Sequence, residues 1–139
     1  MKPKIKPEEY NRILASLELK TMFLRETRTR FDEGLVKSEI TIDVSETSSF
    51  EQKPGMLEVE YAFKLTGRSP EITTPCVTLH AKYLVRYKVS GTTRVTKEFM
   101  NVFSEMTVAT LLWSYFREFV NNMVYRMGLP PLILPLKRR

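Results

Sequence analysis

The sequence predicts an α+β fold: a four-stranded antiparallel sheet with helices packed on one face. Three observations predict it. Before Gly91, apolar and polar residues alternate over four stretches, the period of strands with one buried face. After Gly91 the apolar residues recur every three or four positions, the period of amphipathic helices. No internal repeat, low-complexity segment or linker divides the 139 residues, a length suited to one domain. Strands first and helices afterwards put the helices together on one side of the sheet. The expected domain, 1–139, comprises an N-terminal helix (1–16), the sheet (17–91), the helices (92–128) and an extended apolar tail with a basic end (129–139).

The first helix runs from Pro7 to Ser16. Pro7 suits a first helical position, Glu8 and Glu9 complement the positive end of the helix dipole, and Tyr10, Ile13 and Leu14 share a face. The first strand spans Leu17 to Phe31. Leu17, Leu19, Thr21 and Phe23 alternate with Glu18, Lys20 and Met22, and Asp32-Glu33-Gly34 then signals a turn. The second strand is placed from Lys37 to Glu46, with Ile40, Ile42 and Val44 on one face, and Ser45 to Gly55 is read as a polar loop closed by Pro54-Gly55. The third strand is the clearest, with Leu57, Val59, Tyr61, Phe63 and Leu65 alternating strictly with Glu58, Glu60, Ala62 and Lys64. After a loop from Thr66 to Pro75, the fourth strand aligns Val77, Leu79, Ala81, Tyr83, Val85, Tyr87 and Val89 on one face. A short helix from Val95 to Phe103 and a longer one from Thr107 to Met127 follow. Gly128 is a natural residue to end the second, and Pro130-Pro131 forbids its continuation.

The balance of 22 Lys+Arg against 16 Asp+Glu gives a net charge of +6. Much of the excess sits at the two ends, in Lys2, Lys4 and Lys6 and in Lys137-Arg138-Arg139, where solvated basic tails explain it. No apolar run approaches the roughly 20 residues that span a bilayer, and the basic start has no apolar stretch behind it. A lone cysteine, Cys76, forms no internal disulfide and suits a reducing compartment. The expected location is the cytoplasm.

Catalytic chemistry is poorly provided for. His80 and Cys76 are the only residues of their kinds, too few for a transition-metal site. Four apart on one strand face, they could form a nucleophile pair, but a buried thiol and a surface histidine account for them. No phosphate-cradling glycine motif occurs. The adjacent carboxylates Glu8-Glu9 and Asp32-Glu33 stand at a helix start and in a turn. No catalytic residue, metal or cofactor is expected.

Apolar pattern is what the chain has in excess. Seven apolar positions share one face of the fourth strand, the long helix is apolar over much of its circumference, and Leu129 to Leu136 is almost wholly apolar. Surface of that kind serves subunit contacts or a groove for other chains. The block Leu111-Leu112-Trp113-Ser114-Tyr115-Phe116-Arg117-Glu118-Phe119-Val120, followed by Met123-Val124-Tyr125-Arg126-Met127-Gly128-Leu129-Pro130-Pro131-Leu132-Ile133-Leu134, resembles the C-terminal half of the SecB family. That family carries a Tyr-x-Arg-Glu helix followed by proline and alternating leucines. Ile40-Thr41-Ile42-Asp43-Val44 is similar to its second strand and Val77 to Gly91 to its fourth.

The resemblance implies an ATP-independent holdase, a chaperone that keeps polypeptides unfolded for export or for folding of an antitoxin. It implies a homotetramer built as a dimer of dimers and no cofactor. It places client binding at Ile40, Ile42, Val44, Val77, Phe103, Tyr115, Leu129, Leu132 and Leu134. It places subunit contacts at Leu79, Ala81 and Tyr83 and, on the long helix, at Leu112, Phe116, Phe119 and Met123. Export members dock on a motor ATPase through acidic residues of the outer sheet face, whereas this chain is basic around His80, Lys82 and Arg86 and has no counterpart to the family's second C-terminal helix and acidic tail. Those departures speak against motor docking. An alternative from another class is a nucleic-acid-binding module using Arg25, Arg28, Arg30, Lys82, Arg86 and Lys88. Its weakness is that Tyr61, Phe63, Tyr83 and Tyr87 fall on the opposite, apolar face and cannot stack on bases there. A third is a small-molecule binder with a closed pocket between sheet and helix.

Overall fold

The computed structural model describes residues 5–37 and 39–132. Helix α1 (Pro7–Ala15) leads into strand β1 (Leu17–Phe31), and β2 (Thr41–Lys53), β3 (Met56–Arg68) and β4 (Val77–Val89) follow. Helices α2 (Lys97–Phe103) and α3 (Ala109–Arg126) come last, joined by one π turn, Ser104–Val108. The sheet order is β1-β4-β3-β2, antiparallel throughout, so the two most apolar strands are central and the two most polar are edges. This is the α+β class that the periodicity predicts, with all the helices on one face.

That face is fixed by the alternation in the central strands. Leu57, Val59, Phe63 and Leu65 of β3 and Leu79, Ala81 and Val85 of β4 are fully buried, and Phe99, Phe103, Leu112 and Phe116 descend onto them from the helices. Phe63 stacks on Phe116 at 4.7 Å between ring centroids, with Trp113 tilted against it at 5.7 Å. Phe99 stacks on Phe103 at 5.0 Å and on Tyr10 of α1 at 4.8 Å, so one ring ties two helices together. Over the central strands, the space between sheet and helices is filled by these rings.

Three details differ from the sequence reading. The expected loop Ser45–Gly55 is strand as far as Lys53. Its 13 residues pair one for one with β3 around the two-residue turn Pro54-Gly55, where Gly55 has φ 73° and glycine alone takes that angle without strain. The segment reads as loop because an edge strand held by backbone pairing needs no apolar face beyond Val44. Second, β1 contains two bulges, between Leu19 and Thr21 and between Leu24 and Glu26. The first reverses the alternation, since an unpaired extra residue turns the following side chains over, and the second restores it. Leu17 and Leu19 lie on the helix side, but Thr21 and Phe23 turn outward, and the Arg86 guanidinium sits 5.5 Å from the Phe23 ring centroid. Third, the two expected helices form one helical run. The first begins at Lys97 because the Thr96 hydroxyl accepts from the Phe99 amide at 3.1 Å, and Ser104–Val108 continues it as a π turn.

Candidate functional site

At one end of the helix–sheet layer the helices stop short and an apolar groove of about 270 Å³ opens. Its floor is Leu65 of β3 and Val77 of β4, both buried. One wall is Val36, Ile40 and Ile42, where the chain enters β2. The other is Val124, near the end of α3, with Leu129, Pro130, Pro131 and Leu132 beyond it.

Local chemistry sets each wall. Gly67 of β3 lies beneath the first, and a Cβ there would stand 2.8 Å from Ile40 Cγ2 and 3.2 Å from Ile42 Cδ1. Glycine therefore lets two isoleucines settle on the strand. The incoming segment is pinned by the Asp32 amide donating to the Cys76 carbonyl at 2.8 Å and the Lys37 amide to Ser69 Oγ at 2.9 Å. The second wall follows from how α3 ends. Gly128 has φ 73°, its amide donates to the Tyr125 carbonyl at 3.1 Å, and the Leu129 amide donates back to the Val124 carbonyl at 3.2 Å. This is the Schellman arrangement, which brings the residue after the glycine against the last turn. It folds Leu129 beside Val124, and Pro130-Pro131 extends the chain along the groove.

The groove gathers Ile40, Ile42, Val77, Leu129 and Leu132 from the expected client-binding set. Val44 is the next inward position on β2, opposite Leu65, and is half-buried. The remaining expected residues lie elsewhere. Phe103 is 1% exposed and packs on Phe99 and Tyr87, so it belongs to the core. Tyr115 is exposed on α3 and does not line this groove. Leu134 lies outside the described residues. Gly67, Val36 and Val124 are groove residues that sequence reasoning missed. Gly67 carried a signal, a glycine at the end of a strong strand, where close approach of another side chain is the usual reason.

Among the expected subunit contacts, Leu79, Ala81, Leu112 and Phe116 are all 0% exposed and Tyr83 is 5% exposed. These side chains form the chain's own core, because β4 is a central strand rather than an edge, and they have almost no surface left to give a partner. Phe119 and Met123 are half-buried on α3. Exposed apolar side chains at the sheet edges include Leu19 and Leu24 of β1, which face the helix side yet are 46% and 42% exposed.

The outer face is charged. Arg86 meets Glu58 at 2.7 Å, Lys53 meets Glu58 at 3.1 Å, and Arg25 and Lys82 meet Glu60 at 3.3 and 3.8 Å. Arg86 and then Lys53 hold the Glu58 carboxyl below the usual range. These pairs neutralise much of the cluster on which a nucleic-acid reading rests. The thiol of Cys76 is buried and 3.4 Å from the Gly67 carbonyl. Its strand begins only at Val77, so the alternation that put it on the face of His80 does not reach it. Among the described residues no three of His, Cys, Asp or Glu gather to hold a metal ion. No helix among them is long and apolar enough to cross a membrane.

This arrangement, a four-stranded antiparallel sheet with helices on one face, is the SecB-like fold. The SecB-like chaperone Rv1957 of Mycobacterium tuberculosis, solved in complex with a ChAD peptide from the Rv1956 HigA1 antitoxin, matches with a TM-score of 0.77, at 20% sequence identity, over 95% of this chain and 98% of that one. A protein of unknown function from Streptococcus agalactiae aligns over 86% of this chain and 96% of its own with a TM-score of 0.41 and 6% identity, below the level of a shared fold. No protein-family model and no curated protein matches the sequence.

Proposed function

We propose that this protein is an ATP-independent holdase that takes extended segments of unfolded polypeptides into the groove at the β2 end. The observation that carries the reading is the coincidence of that groove with an unpaired strand edge. Ile40 and Ile42 form its wall and lead directly into β2, whose far side has no neighbouring strand among the described residues. A client can pair one stretch of backbone with the free edge of β2, the mode of strand addition, and seat apolar side chains of a neighbouring stretch in the trough over Leu65 and Val77. Backbone pairing ignores sequence and an apolar trough accepts many side chains, which together suit a binder of varied clients. Holding needs no bond broken and no cofactor.

The fold shared with a chaperone solved with an antitoxin peptide favours an antitoxin as client over an exported preprotein. The basic outer face, unlike the acidic docking face of export chaperones, favours the same setting, and a buried free thiol fits a cytoplasmic one. A tetramer assembled as a dimer of dimers goes with this reading. Its first contact is best sought at the exposed Leu19 and Leu24 of β1 rather than on the buried β4.

The test is light scattering of the protein alone and with a reduced, unfolded model protein, alongside the turbidity of that client. The expected result is an oligomer that gains mass with the client and suppresses its aggregation. A monomer without effect on aggregation would sink the proposal.

A further inference from the structure

We propose that the outer face of the sheet carries a docking site for an acidic polypeptide segment, centred on Arg28, His80 and Lys64. These residues stand in one row across β1, β4 and β3, each directly opposite the next. In the adjoining row, Arg30, Thr78 and Thr66 stand in the same order. The helices pack on the other face, so nothing among the described residues covers this patch.

The two halves of the face treat charge differently. Around Arg86 and Lys53 the cations are paired off by Glu58, and Glu60 takes Arg25 and Lys82. Around His80, Arg30 and Lys64 have no acidic partner among the described residues, and Arg28 has only a 3.4 Å contact with Glu26 from a side chain 80% exposed. The Nδ1 atom of His80 is buried without a hydrogen-bond partner. Like charges gathered on one face without counter-charges repel one another, and a carboxylate arriving there answers Arg28, Arg30 and Lys64.

The geometry specifies the partner. Arg28 and Lys64 are separated by two strand spacings, about 10 Å. Carboxylates three residues apart on a polyproline II chain, with three residues per turn and a rise of about 3.1 Å each, share one face about 9 Å apart, so acidic residues at i and i+3 meet both cations while the segment crosses β4 above His80. The Thr78 and Thr66 hydroxyls are beside its path. A polynucleotide fits less well: among its described residues the patch has no Phe, Tyr or Trp ring for a base to stack on, and its next turn would meet Glu58 and Glu60.

The experiment is fluorescence anisotropy of the full chain with a labelled ten-residue peptide bearing Glu at i and i+3, against the same peptide with Gln. The Glu peptide is expected to bind at least tenfold more tightly at low salt, with the difference collapsing as salt rises. Arg30→Glu with Lys64→Glu should abolish that preference. Lys88→Glu, on the other half, should leave it within twofold, and both variants should suppress client aggregation as the parent does. Should the double variant melt early, Arg30→Gln with Lys64→Gln replaces it. Equal binding of the two peptides overturns the proposal. So does displacement of the Glu peptide by a tighter-binding oligonucleotide of equal charge, or joint loss of peptide binding and client holding, which would make the patch part of the groove. Loss of holding by the parent protein with the peptide preference intact would overturn the holdase reading and leave this one standing.

Discussion

The centre of the helix–sheet layer and its β2 end are built from the same kinds of residue on the same face, yet one is closed and the other open. At the centre, Phe63 lies under Phe116 and Trp113 and is fully buried. At the end, Ile40, Ile42, Leu129 and Leu132 point into shared space and remain partly exposed. Apolar alternation therefore tells which way a side chain faces. Whether it is covered depends on where α3 stops, and Gly128 decides that.

The sharpest way to separate the two regions is to remove one side chain from each. Phe63→Ala should cost about 4 kcal/mol of stability, because it empties a ring stack that cannot collapse, and a urea melt would show it. Ile42→Ser should cost much less stability, yet greatly reduce the suppression of client aggregation. If Ile42→Ser unfolds the protein while Phe63→Ala is tolerated, the division into core and groove is wrong.

Alkaline pH probes the closed region without mutation. Burial pushes the hydroxyls of Tyr83 and Tyr87 up to about 12, with the Glu118 charge adding to the effect on Tyr83. Between pH 10 and 12 the unfolded chain gives up these protons and the folded one keeps them, so stability falls as pH rises, by on the order of 1 kcal/mol per tyrosine per unit. Below pH 10 the two groups contribute no slope. Melts of Tyr83→Phe and Tyr87→Phe should each flatten the decline. The groove wall is probed by Gly67→Ala, which should cost about 1 kcal/mol by pushing Ile40 aside and weaken client binding severalfold in competition assays. Last, Leu24→Glu on β1 should lower the mass in light scattering and leave the melting temperature nearly unchanged.

The sequence made the central strands and both ends of β1 and β4 legible because a half-buried strand shows its period directly. It concealed the second half of β2, where Thr47, Ser48 and Ser49 are held by backbone pairing that any side chain permits. The β1 bulges were equally hidden, since register is settled with β4 and leaves no mark in β1. Ile40, Ile42, Val77, Leu129 and Leu132, which the family resemblance assigns to clients, meet in the groove, whereas Phe103 and the named β4 residues lie in the chain's own core. Their apolar character was plain, but burial depends on which strand is central, and strand order is a property of the whole chain.

The π turn at Ser104–Val108 bears on a different kind of genetic change. A π turn accommodates one residue more than an α turn, so the run carries a spare position that leaves the phase of α3 intact. Deleting the exposed Thr107 would relax the turn to regular α-helix and keep Leu112, Phe116 and Val120 over the sheet. Deleting Ser114, equally exposed but inside α3, finds no such slack and turns everything beyond it by about 100°. A single-codon deletion scan of 97–126 should therefore show one short tolerant window, and it should coincide with this turn.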